Sequence, residues 1–597
     1  DVRLLERLSM NFIKNETAQK LRGGYYTPRD IATFLARWVL AIEPKRILEP
    51  SCGDGSFLGA LASLRPKHLR ELRACEIDNG EAEKAKRHTI PQVNISVHVG
   101  DFLQWAIDRA DAKPDVDGVL GNPPFIRYQY LNTEQQGRAY RLFERYGLSF
   151  TKHTNAWVPF VVASIARLRP GGRLAMVVPA ELLHVLHAQS LRTYLLGSCS
   201  RILVIDPESL WFDGSLQGVV LLLAERAPVN SQAGSLAITK FKGRLSLDDD
   251  PCSLFESAQF IDASTIRGKW MPALLTRSER AVIADLSSKK CVRRFAQLAD
   301  VDVGIITGAN KFFLVPDDVV DMYDLRDFAH PMFGRSNHVR GVIYDHAKHD
   351  ENKRAGLSAN FLRFGSTEKA KLPKTAIQYI EAGEREGLHE RYKCRIRSPW
   401  YDVPSVHVAP MGMLKRSHDF HRMILNRAEA LTTDTAYRIQ PLAGTDPSKL
   451  VFSFVNSLTA LSAELEGRHY GGGVLELVPS EIERLLIPWT DDIPCEIEAL
   501  DRDVGERGPE EVLAAQDQRL LRRMGVRQCD ADELRAAWLR LRDRRQRNTG
   551  DGECDAEEEV VPVPSRRRGH STSMKKGADA PGGGPNKRSM RSVMSTR

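Results

Sequence analysis

The chain has 597 residues, 42% of them hydrophobic and 27% charged, which is typical of globular proteins with two or three domains. Its net charge of +8 permits nucleic-acid binding without requiring it. The sequence has no run of 18 apolar residues and no signal-peptide pattern, and its nine cysteines show no zinc-site spacing. These features exclude a membrane-spanning class, and we expect a cytoplasmic protein without a structural metal.

The first predicted helix follows the segment 23–30, which reads Gly-Gly-Tyr-Tyr-Thr-Pro-Arg-Asp. Helical apolar spacing continues over residues 31–40, and Thr27 is predicted to cap this helix with Pro28 at its first position. A helix start explains this pattern fully. A helix N-terminus with a hydroxyl group can also receive a carboxylate, so a ligand contact at Thr27 stays open.

A strand, a glycine-rich turn and a helix are predicted next. The strand covers residues 46–48, and the turn begins at Glu49 and contains Cys52, Gly53 and Gly55. Glycines in such a turn let a ligand approach the backbone closely. The turn lacks the Gly-x-Gly-x-x-Gly dinucleotide pattern, and its acidic start suits an ammonium group rather than a phosphate.

Polar residues follow three more predicted strands. Glu76 follows the strand at 72–75, Asp101 closely follows the strand at 94–99, and Asn122 closely follows the strand at 116–120. Each acid alone is more often an ordinary strand-end carboxylate. Together with Glu49 they would line the crevice at the carboxyl ends of an open α/β sheet, where nucleotide ligands bind.

The spacing of two of these acids indicates a nucleoside. Glu76 lies 21 residues after Gly55, where a nucleotide-binding sheet places its ribose-binding carboxylate. Asp101 can accept a hydrogen bond from an adenine amino group, and Phe102 can pack against the ring. We therefore expect a site for a ligand that combines an ammonium group with a nucleoside.

The turn after the fourth strand has the most distinctive composition, Gly121-Asn122-Pro123-Pro124-Phe125. Two prolines stiffen the backbone and remove two donors, which leaves the Asn122 side-chain oxygen and the Pro123 carbonyl as rigid acceptors. Two acceptors facing an exocyclic amine of a nucleobase would favour the geometry in which its nitrogen can attack a methyl donor. Phe125 could stack on the base. An ordinary strand-ending turn remains the alternative.

The alternation of helices and strands continues to about residue 225. A helix is predicted at 155–168 and strands at 174–178, 202–205 and 219–223, the last of which is expected to end the sheet. The loop between the last two strands contains Trp211 and Phe212, whose rings fit either a core contact or a more specific role. The predicted fold class is an α/β Rossmann-like domain.

Basic and aromatic residues alternate in the later part of the chain. After a polar linker at 226–240, residues up to about 490 read as mixed α+β, followed by charged helices and, from residue 548, a tail of disordered composition. Basic residues among aromatics suit contacts to DNA phosphates and bases, although a solvated surface is the simpler alternative. The candidate DNA-binding residues are Arg391, Lys393, Arg395, Arg397, Lys415 and Arg416.

The order of these motifs resembles the gamma-class N6-adenine DNA methyltransferases of type II restriction–modification systems, of which the TaqI methyltransferase is the familiar example. The similarity rests on Gly-Tyr-Tyr-Thr-Pro, Glu-Pro-Ser-Cys-Gly-Asp-Gly, Glu76-Ile-Asp78, Asp101-Phe102 and Asn122-Pro-Pro-Phe. It is specific over about residues 20–225 and looser to about 490. Phe125 stands where Tyr is commoner and keeps a stacking face.

The resemblance implies the cofactor S-adenosyl-L-methionine and a role for each matching residue. Thr27 and Glu49 would contact its methionyl part, Glu76 the ribose, and Asp101 with Phe102 the adenine. Phe212 would stack on the flipped target base. It also implies four segments: a catalytic domain at 1–230, a target-recognition domain at 231–490, a charged helical segment at 491–547 and a disordered tail at 548–597.

The leading hypothesis is therefore a monomeric, sequence-specific DNA adenine-N6 methyltransferase that flips its target base out of double-stranded DNA. Because about 20 residues precede Thr27 and no nuclease pattern is evident, we expect the cognate restriction endonuclease to be a separate chain. Methylation of RNA or another amine is the main alternative, and cytosine-N4 methylation is a second. A catalytically inactive DNA-binding protein is a third.

Overall fold

A computed structural model describes residues 26–151, 154–208, 211, 218–228, 234–241, 243–266, 268–492 and 495–546. The chain divides into two compact units, Asp1–Asp551 and Gly552–Arg597. The second unit and the predicted tail from residue 548 lie outside the described residues, so the fold described below belongs to the first unit. Among the described residues, no helix is long and apolar enough to cross a membrane.

The first part of this unit is built on a nine-stranded sheet with the strand order β3-β2-β1-β4-β5-β7-β6-β8-β9. Most of its central strands carry long runs of buried aliphatic residues, as expected for a sheet covered on both faces. The strands are β1 Arg46–Glu49, β2 Glu71–Glu76, β3 Asn94–Val99, β4 Val116–Gly121, β5 Leu168–Pro179, β6 Cys199–Pro207, β7 Val219–Arg226, β8 Ser235–Phe241 and β9 Ile261–Asp262.

The order in which strands are added across the sheet reverses between β1 and β4. Strand β1 pairs in parallel with β2 on one side and with β4 on the other, so the chain adds β2 and β3 on one side of β1 and then crosses back to add β4 on the other side. This is the topological switch point at which open α/β sheets bind ligands. The predicted α/β, Rossmann-like fold class is confirmed, and the switch point lies between the strands that carry Glu49 and Asn122.

The prediction that the strand at 219–223 ends the sheet was wrong. Strand β8 pairs in parallel with β6, and β9 pairs with β8, so the sheet continues through the segment read as a linker. Strand β8 carries Thr239 and Lys240 among its half-buried positions, and its sequence therefore lacks a continuous apolar run.

Helices cover both faces of this sheet and bury two separate hydrophobic cores. They are α1 Arg29–Leu40, α2 Ser56–Leu64, α3 Asn79–Ala85, α4 Phe102–Ile107, α5 Thr133–Arg145, α6 Trp157–Arg167, α7 Gln189–Ser198 and α8 Pro251–Ser257. Helix α1 lies directly on β4, because a Cβ atom added at Gly118 would come within 2.4 Å of Val39 Cγ1. The predicted cap at Thr27 was wrong: the helix begins at Arg29, and Pro28 precedes it without a side-chain cap.

The later part of the unit combines small sheets with helices. Its sheets have the orders β11-β20-β16-β18-β14, β12-β15-β13-β19, β17-β22-β21 and β10-β23. The strands are β10 Val292–Arg294, β11 Ala299–Val303, β12 Leu314–Val315, β13 Ala329–Phe333, β14 Ile343–Tyr344, β15 Asn360–Leu362, β16 Met411–Leu414, β17 Arg416–Ser417, β18 Met423–Asn426, β19 Leu431–Thr432, β20 Ala436–Pro441, β21 Arg468–Tyr470, β22 Val474–Glu476 and β23 Leu486–Pro488.

The helices of this part join its sheets into one large core and one smaller one. They are α9 Arg277–Ser288, α10 Asn310–Phe313, α11 Asp317–Met322, α12 His346–Arg354, α13 Lys374–Arg385, α14 Tyr392–Arg395, α15 Pro447–Phe454, α16 Ser457–Glu466, α17 Pro479–Ile482, α18 Ile497–Glu506, α19 Pro509–Arg519 and α20 Gln528–Gln546. The predicted mixed α+β character is confirmed.

The long helix α20 connects the two parts of the unit. One face of this charged helix is buried in the larger core through Leu534, Trp538 and Leu541. At its end, the Arg544 guanidinium donates to both carboxylate oxygens of Asp206, at 2.5 and 3.1 Å, where β6 nears its end. Both side chains are almost fully buried, so this ion pair fixes α20 against the nine-stranded sheet.

Candidate active site

The carboxyl ends of β1, β2, β3 and β4 bring the predicted polar residues to one edge of the sheet. Strand β1 ends at Glu49 and β2 at Glu76, while Asp101 and Asn122 follow β3 and β4 within two residues. Because these four parallel strands are adjacent in the sheet, the residues lie along a single crevice. The arrangement has the form that the sequence predicts for a nucleoside-type ligand.

Glu49 is the most unusual group in this crevice. Its side chain is 1% exposed, and neither carboxylate oxygen has a hydrogen-bond partner among the described residues. Burial, with the nearby charges of Asp54 and Glu76, raises the pKa of Glu49 well above its usual range. A buried carboxyl group without a partner is costly to a protein, and an ammonium group of a ligand would satisfy it.

Glu76 is held by the backbone of the glycine-rich turn. Its carboxylate accepts hydrogen bonds from the Gly53 amide at 2.9 Å and from the Asp78 amide at 2.8 Å. The Gly53 bond fixes Oε2 against the turn and the Asp78 bond fixes Oε1, and each oxygen keeps a lone pair for a further donor. The geometry is compatible with a ligand hydroxyl pair at Glu76.

Glycine is required at positions 53 and 55 of the turn for different structural reasons. At Gly53, with φ of 53°, the described residue nearest to an added Cβ atom would be Tyr26 at 4.0 Å, so the described part of the chain leaves room for a ligand on this face. At Gly55, with φ of 95°, an added Cβ atom would come within 2.6 Å of the His88 ring. Gly55 is therefore explained by packing against His88, and Cys52 is buried with its amide bonded to the Cys75 carbonyl.

Asp101 begins helix α4 and also forms an ion pair. Its carboxylate accepts from the Leu103 amide at 2.7 Å and from the Arg138 guanidinium at 2.8 Å. Arg138 lies on α5, the helix that follows the Asn122 turn, so this pair connects two of the strand-end segments. Local sequence patterns could not predict this ion pair, because Asp101 and Arg138 are 37 positions apart.

Phe102 occupies a core position rather than an open face. Its ring is 2% exposed and packs against Trp105, with ring centroids 5.9 Å apart, and against Phe160 at 5.2 Å. The packing of this ring against a ligand adenine stays a prediction. Phe102 directly follows Asp101 in the wall of this edge of the sheet.

The Asn122 turn is held at both its side chain and its backbone. The Asn122 side-chain amide donates to the Thr27 hydroxyl at 3.2 Å, and the Ser51 hydroxyl donates to the Asn122 carbonyl at 3.0 Å. Pro123 is buried, and Phe125 is half-buried and packs against the cores on both faces of the sheet. The turn therefore presents rigid acceptors beside a partly accessible aromatic ring.

A second carboxyl group lies next to this turn. Glu181 belongs to the short 3-10 helix Ala180–Leu183 that follows β5, and it accepts a hydrogen bond from the Asn155 side chain at 3.0 Å. The adjacent Ala156 amide donates to the Ile126 carbonyl, one residue beyond Phe125. Burial raises the pKa of Glu181. Neither Asn155 nor Glu181 was singled out from the sequence.

Most of the loop after β6 lies outside the described residues, but Trp211 within it is described. This side chain is 1% exposed and packs against Phe241, with ring centroids 6.1 Å apart, so Trp211 is a core residue. Phe212, the predicted stacking residue for a target base, lies outside the described residues.

The six predicted DNA-binding residues differ in their exposure and in their contacts within the chain. Arg391, Lys393 and Arg395 are exposed on and beside α14, and the last two place their charges 5.7 and 5.5 Å from the Tyr392 ring. This group forms a basic and aromatic surface that is compatible with nucleic-acid contact.

The other three basic residues are committed to contacts within the chain. Arg397 donates to the carbonyls of Ile306 and Thr307 at 2.7 and 2.6 Å, so its guanidinium braces a loop and is a poor phosphate ligand. Arg416 pairs with Glu476 at 2.8 Å, and Lys415 lies 5.7 Å from the Tyr437 ring. A direct DNA contact by Arg397, Lys415 or Arg416 stays a prediction.

No group of three or more His, Cys, Asp and Glu residues in the described part of the chain is arranged to hold a metal ion.

Comparison with known proteins agrees with this geometry. Residues 6–239 match the family model described as N-6 DNA Methylase, and residues 267–521 match that of the C-terminal domain of the type II methyltransferase M.Eco57I. The chain is 23% identical over 472 residues to the type II methyltransferase M.AccI of Acinetobacter calcoaceticus, covering 77% of this chain and 84% of that protein.

Two further similarities extend over much of the chain. It is 26% identical over 453 residues to the type II methyltransferase M.BanIII of Aneurinibacillus aneurinilyticus, covering 64% of this chain and 74% of that protein. Among solved structures, the type IIL restriction–modification enzyme MmeI in complex with DNA has a similar fold, with a TM-score of 0.55 and 11% identity. That match covers 86% of this chain and 75% of the other.

The two family models follow one another along the chain in the order that the sequence motifs predict, catalytic motifs first. The resemblance to N6-adenine DNA methyltransferases of restriction–modification systems is thereby confirmed. Two consecutive stretches of the chain thus match domains of N-6 DNA methylases and type II methyltransferases, and the chain is a DNA methyltransferase.

Proposed function

We propose that this DNA methyltransferase modifies the N6 amine of adenine in double-stranded DNA, with S-adenosyl-L-methionine as the methyl donor. The observation that carries the proposal is the Asn122 turn, whose acceptors stand at the switch point of the sheet beside the buried Glu49 carboxyl. The M.AccI and M.BanIII similarities support DNA as the substrate.

The described residues fit the proposed cofactor. Glu49, with no partner for either oxygen, suits the ammonium group of a methionyl moiety, and Glu76 suits the ribose hydroxyls. The open face at Gly53 allows close approach to the backbone, while Asp101 and Cys52 complete the wall of the crevice. When bound there, S-adenosyl-L-methionine would supply an activated methyl group.

The residues of the Asn122 turn would prepare the target amine. The lone pair of an exocyclic amine is delocalised into the base, so its nitrogen is a poor nucleophile. Acceptance of its two N–H groups by the Asn122 side-chain oxygen and the Pro123 carbonyl would favour tetrahedral geometry and stabilise the positive charge that develops on nitrogen. Phe125 would hold the base by stacking.

Access to this turn requires the adenine to leave the duplex, because its amine is hydrogen-bonded within the base pair. Phe212 remains our proposed second stacking residue. The surface of Arg391, Lys393 and Arg395 is the proposed contact with the DNA backbone. We further propose that the enzyme acts as a monomer and protects host DNA from a cognate endonuclease on a separate chain.

We also propose which part of the chain carries out catalysis and which part recognises the target sequence. The catalytic machinery is assigned to the part built on the nine-stranded sheet and target recognition to the mixed α+β part, with α20 fixing one against the other.

The test is product analysis with a matched variant. The purified chain is incubated with S-adenosyl-L-methionine and duplex DNA, and the digested nucleosides are identified by mass spectrometry. We expect N6-methyladenine with the wild type and a loss of about 10²-fold or more in rate with Asn122→Ala, whose cofactor affinity should stay within about threefold. Wild-type turnover by Asn122→Ala would refute the role of the turn.

The same measurement separates the alternatives. If the product is N4-methylcytosine, the target base is cytosine and not adenine. Both bases carry an exocyclic amine that the acceptor pair could bind, and the surrounding pocket selects between their rings. Methylation of RNA with unmodified DNA would contradict the proposal itself.

A further inference from the structure

Thr27 was expected to contact the methionyl part of the cofactor, and its hydroxyl forms a hydrogen bond with Asn122 in the structure. It accepts a hydrogen bond from the Asn122 side-chain nitrogen at 3.2 Å, and Thr27 is 6% exposed. The contact spans 95 positions of sequence and links the segment before α1 directly to the turn that carries the proposed amine acceptors.

The position of the Thr27 hydroxyl is fixed by its surroundings. Pro28 follows it and restricts Thr27 to extended backbone conformations, and α1 begins immediately afterwards. Helix α1 is buried along one face and lies directly on β4, the strand that ends at the Asn122 turn. A rigid helix and a rigid strand therefore set the separation of the two side chains.

The backbone of Asn122 is restrained independently of Thr27. Its carbonyl accepts from the Ser51 hydroxyl, and two prolines follow with fixed φ angles. A Cβ atom added at the preceding Gly121 would lie 3.1 Å from Pro50, so the strand end is closely packed. The freedom that remains at Asn122 is rotation of its side chain, which decides whether oxygen or nitrogen faces the target.

We propose that Thr27 is a positioning residue that selects the productive orientation of the Asn122 amide. With the amide nitrogen donating to Thr27, the amide oxygen is the side-chain atom that would accept from the target amine. A reversed amide would present N–H groups to an amine that also donates, and no hydrogen bond could form. This inference rests on the proposed function of Asn122.

The consequence is a change in rate rather than in cofactor binding. Thr27→Val keeps the volume of the side chain but removes the acceptor, so the amide loses its orientation and we expect methyl transfer to slow by about 10- to 10²-fold. Thr27→Ser keeps the hydroxyl and should stay within about threefold of the wild-type rate. A methionyl contact at Thr27 predicts instead a weaker cofactor affinity with a normal rate at saturation.

The experiment compares single-turnover methylation at saturating cofactor and DNA with cofactor affinity from calorimetry. Thr27→Ala serves as a second variant without the hydroxyl if Thr27→Val does not fold. Thr33→Val is the matched control, because it removes an equivalent hydroxyl on the adjoining helix α1, where Thr33 donates only to the Arg29 carbonyl in the described contacts. Thr33→Val should retain the wild-type rate.

Three outcomes decide the inference. A slow Thr27→Val with cofactor affinity within about threefold, rescued by Thr27→Ser, supports it. A wild-type rate in Thr27→Val and Thr27→Ala overturns it, as does a loss of rate that additional cofactor restores. Asn122→Ala is measured alongside: if that variant is inactive while Thr27→Val is normal, the positioning inference fails and the proposed function stands.

Discussion

Glu49→Gln should have opposite effects on the free protein and on cofactor binding. In the free protein, the Glu49 carboxyl is buried without a partner, and its pKa is raised well above the usual range by that burial and by Asp54 and Glu76. Removing the ionisable group removes this penalty. In the complex, the same substitution removes the carboxylate that we assign to the ammonium group of S-adenosyl-L-methionine.

The expected magnitudes follow from the surroundings of Glu49. Gln stays buried and polar but cannot ionise, so the free variant should be more stable by the cost of keeping the Glu49 carboxyl protonated, which is about 1.4 kcal/mol for each pH unit between about 4.3 and the raised pKa. At about 2 °C per kcal/mol for a large domain, Tm should rise by a few degrees. Loss of a hydrogen bond between charged groups, about 1.5–3 kcal/mol, should weaken cofactor affinity by about 10- to 10²-fold.

The direction of the pH dependence follows from the raised pKa. Above about pH 4.3 the carboxyl is ionised in the unfolded chain but stays protonated in the fold up to its raised pKa. The contribution of Glu49 to the free energy of unfolding is therefore fully present below about pH 4.3 and is lost as the pH rises towards that raised pKa. Glu49→Gln should remove this component of the pH dependence.

The assay combines thermal unfolding with calorimetry at pH 6 in two buffers of different ionisation enthalpy. Because a cation favours the ionised carboxyl, cofactor binding by the wild type should release a proton, and binding by Glu49→Gln should not. Glu43→Gln, at an exposed position, is the control and should leave both measurements unchanged. Unchanged cofactor affinity and unchanged Tm in Glu49→Gln would refute the assignment of Glu49.

Two further substitutions test the rest of the molecule. Arg544→Met removes one member of the buried Arg544–Asp206 ion pair and should lower the free energy of unfolding by about 3–5 kcal/mol in denaturant titrations. Arg523→Met, at a half-exposed site, should change it by less than about 0.5 kcal/mol, and equal effects would contradict the assigned role of α20. Arg391→Ala should weaken DNA binding and reduce the slope of log affinity against log salt by about one. Arg397→Ala should mainly lower Tm. The reverse pattern in binding titrations would show that Arg397 is the phosphate contact.

The sequence was sufficient to predict the strands that carry the site. Parallel strands buried on both faces read as short apolar runs, and the residues at their ends, from Glu49 to Asn122, therefore fell at one edge of the sheet. Strand β8 was missed because its half-buried positions are polar. Periodicity identifies a strand only when one or both of its faces are consistently apolar.

The partners of the site residues could not be predicted from local sequence. Thr27 and Asn122, or Asp101 and Arg138, meet only because the fold brings distant segments together. The same limitation explains Arg397, which looks like a phosphate ligand among its basic neighbours but braces the carbonyls of a loop. The burial of Phe102 likewise could not be predicted, because it depends on Trp105 and Phe160.

The measurement that tests the central claim most directly is the methylation pattern of a genome. The chain is expressed in a host that lacks adenine methylation, and the DNA is read by single-molecule sequencing beside DNA from a host expressing Asn122→Ala. We predict N6-methyladenine in one short motif of about four to eight base pairs in the first genome and in none of those sites in the second. Unmodified DNA, or modification confined to cytosine N4, would contradict the assignment of this chain as an adenine-N6 DNA methyltransferase.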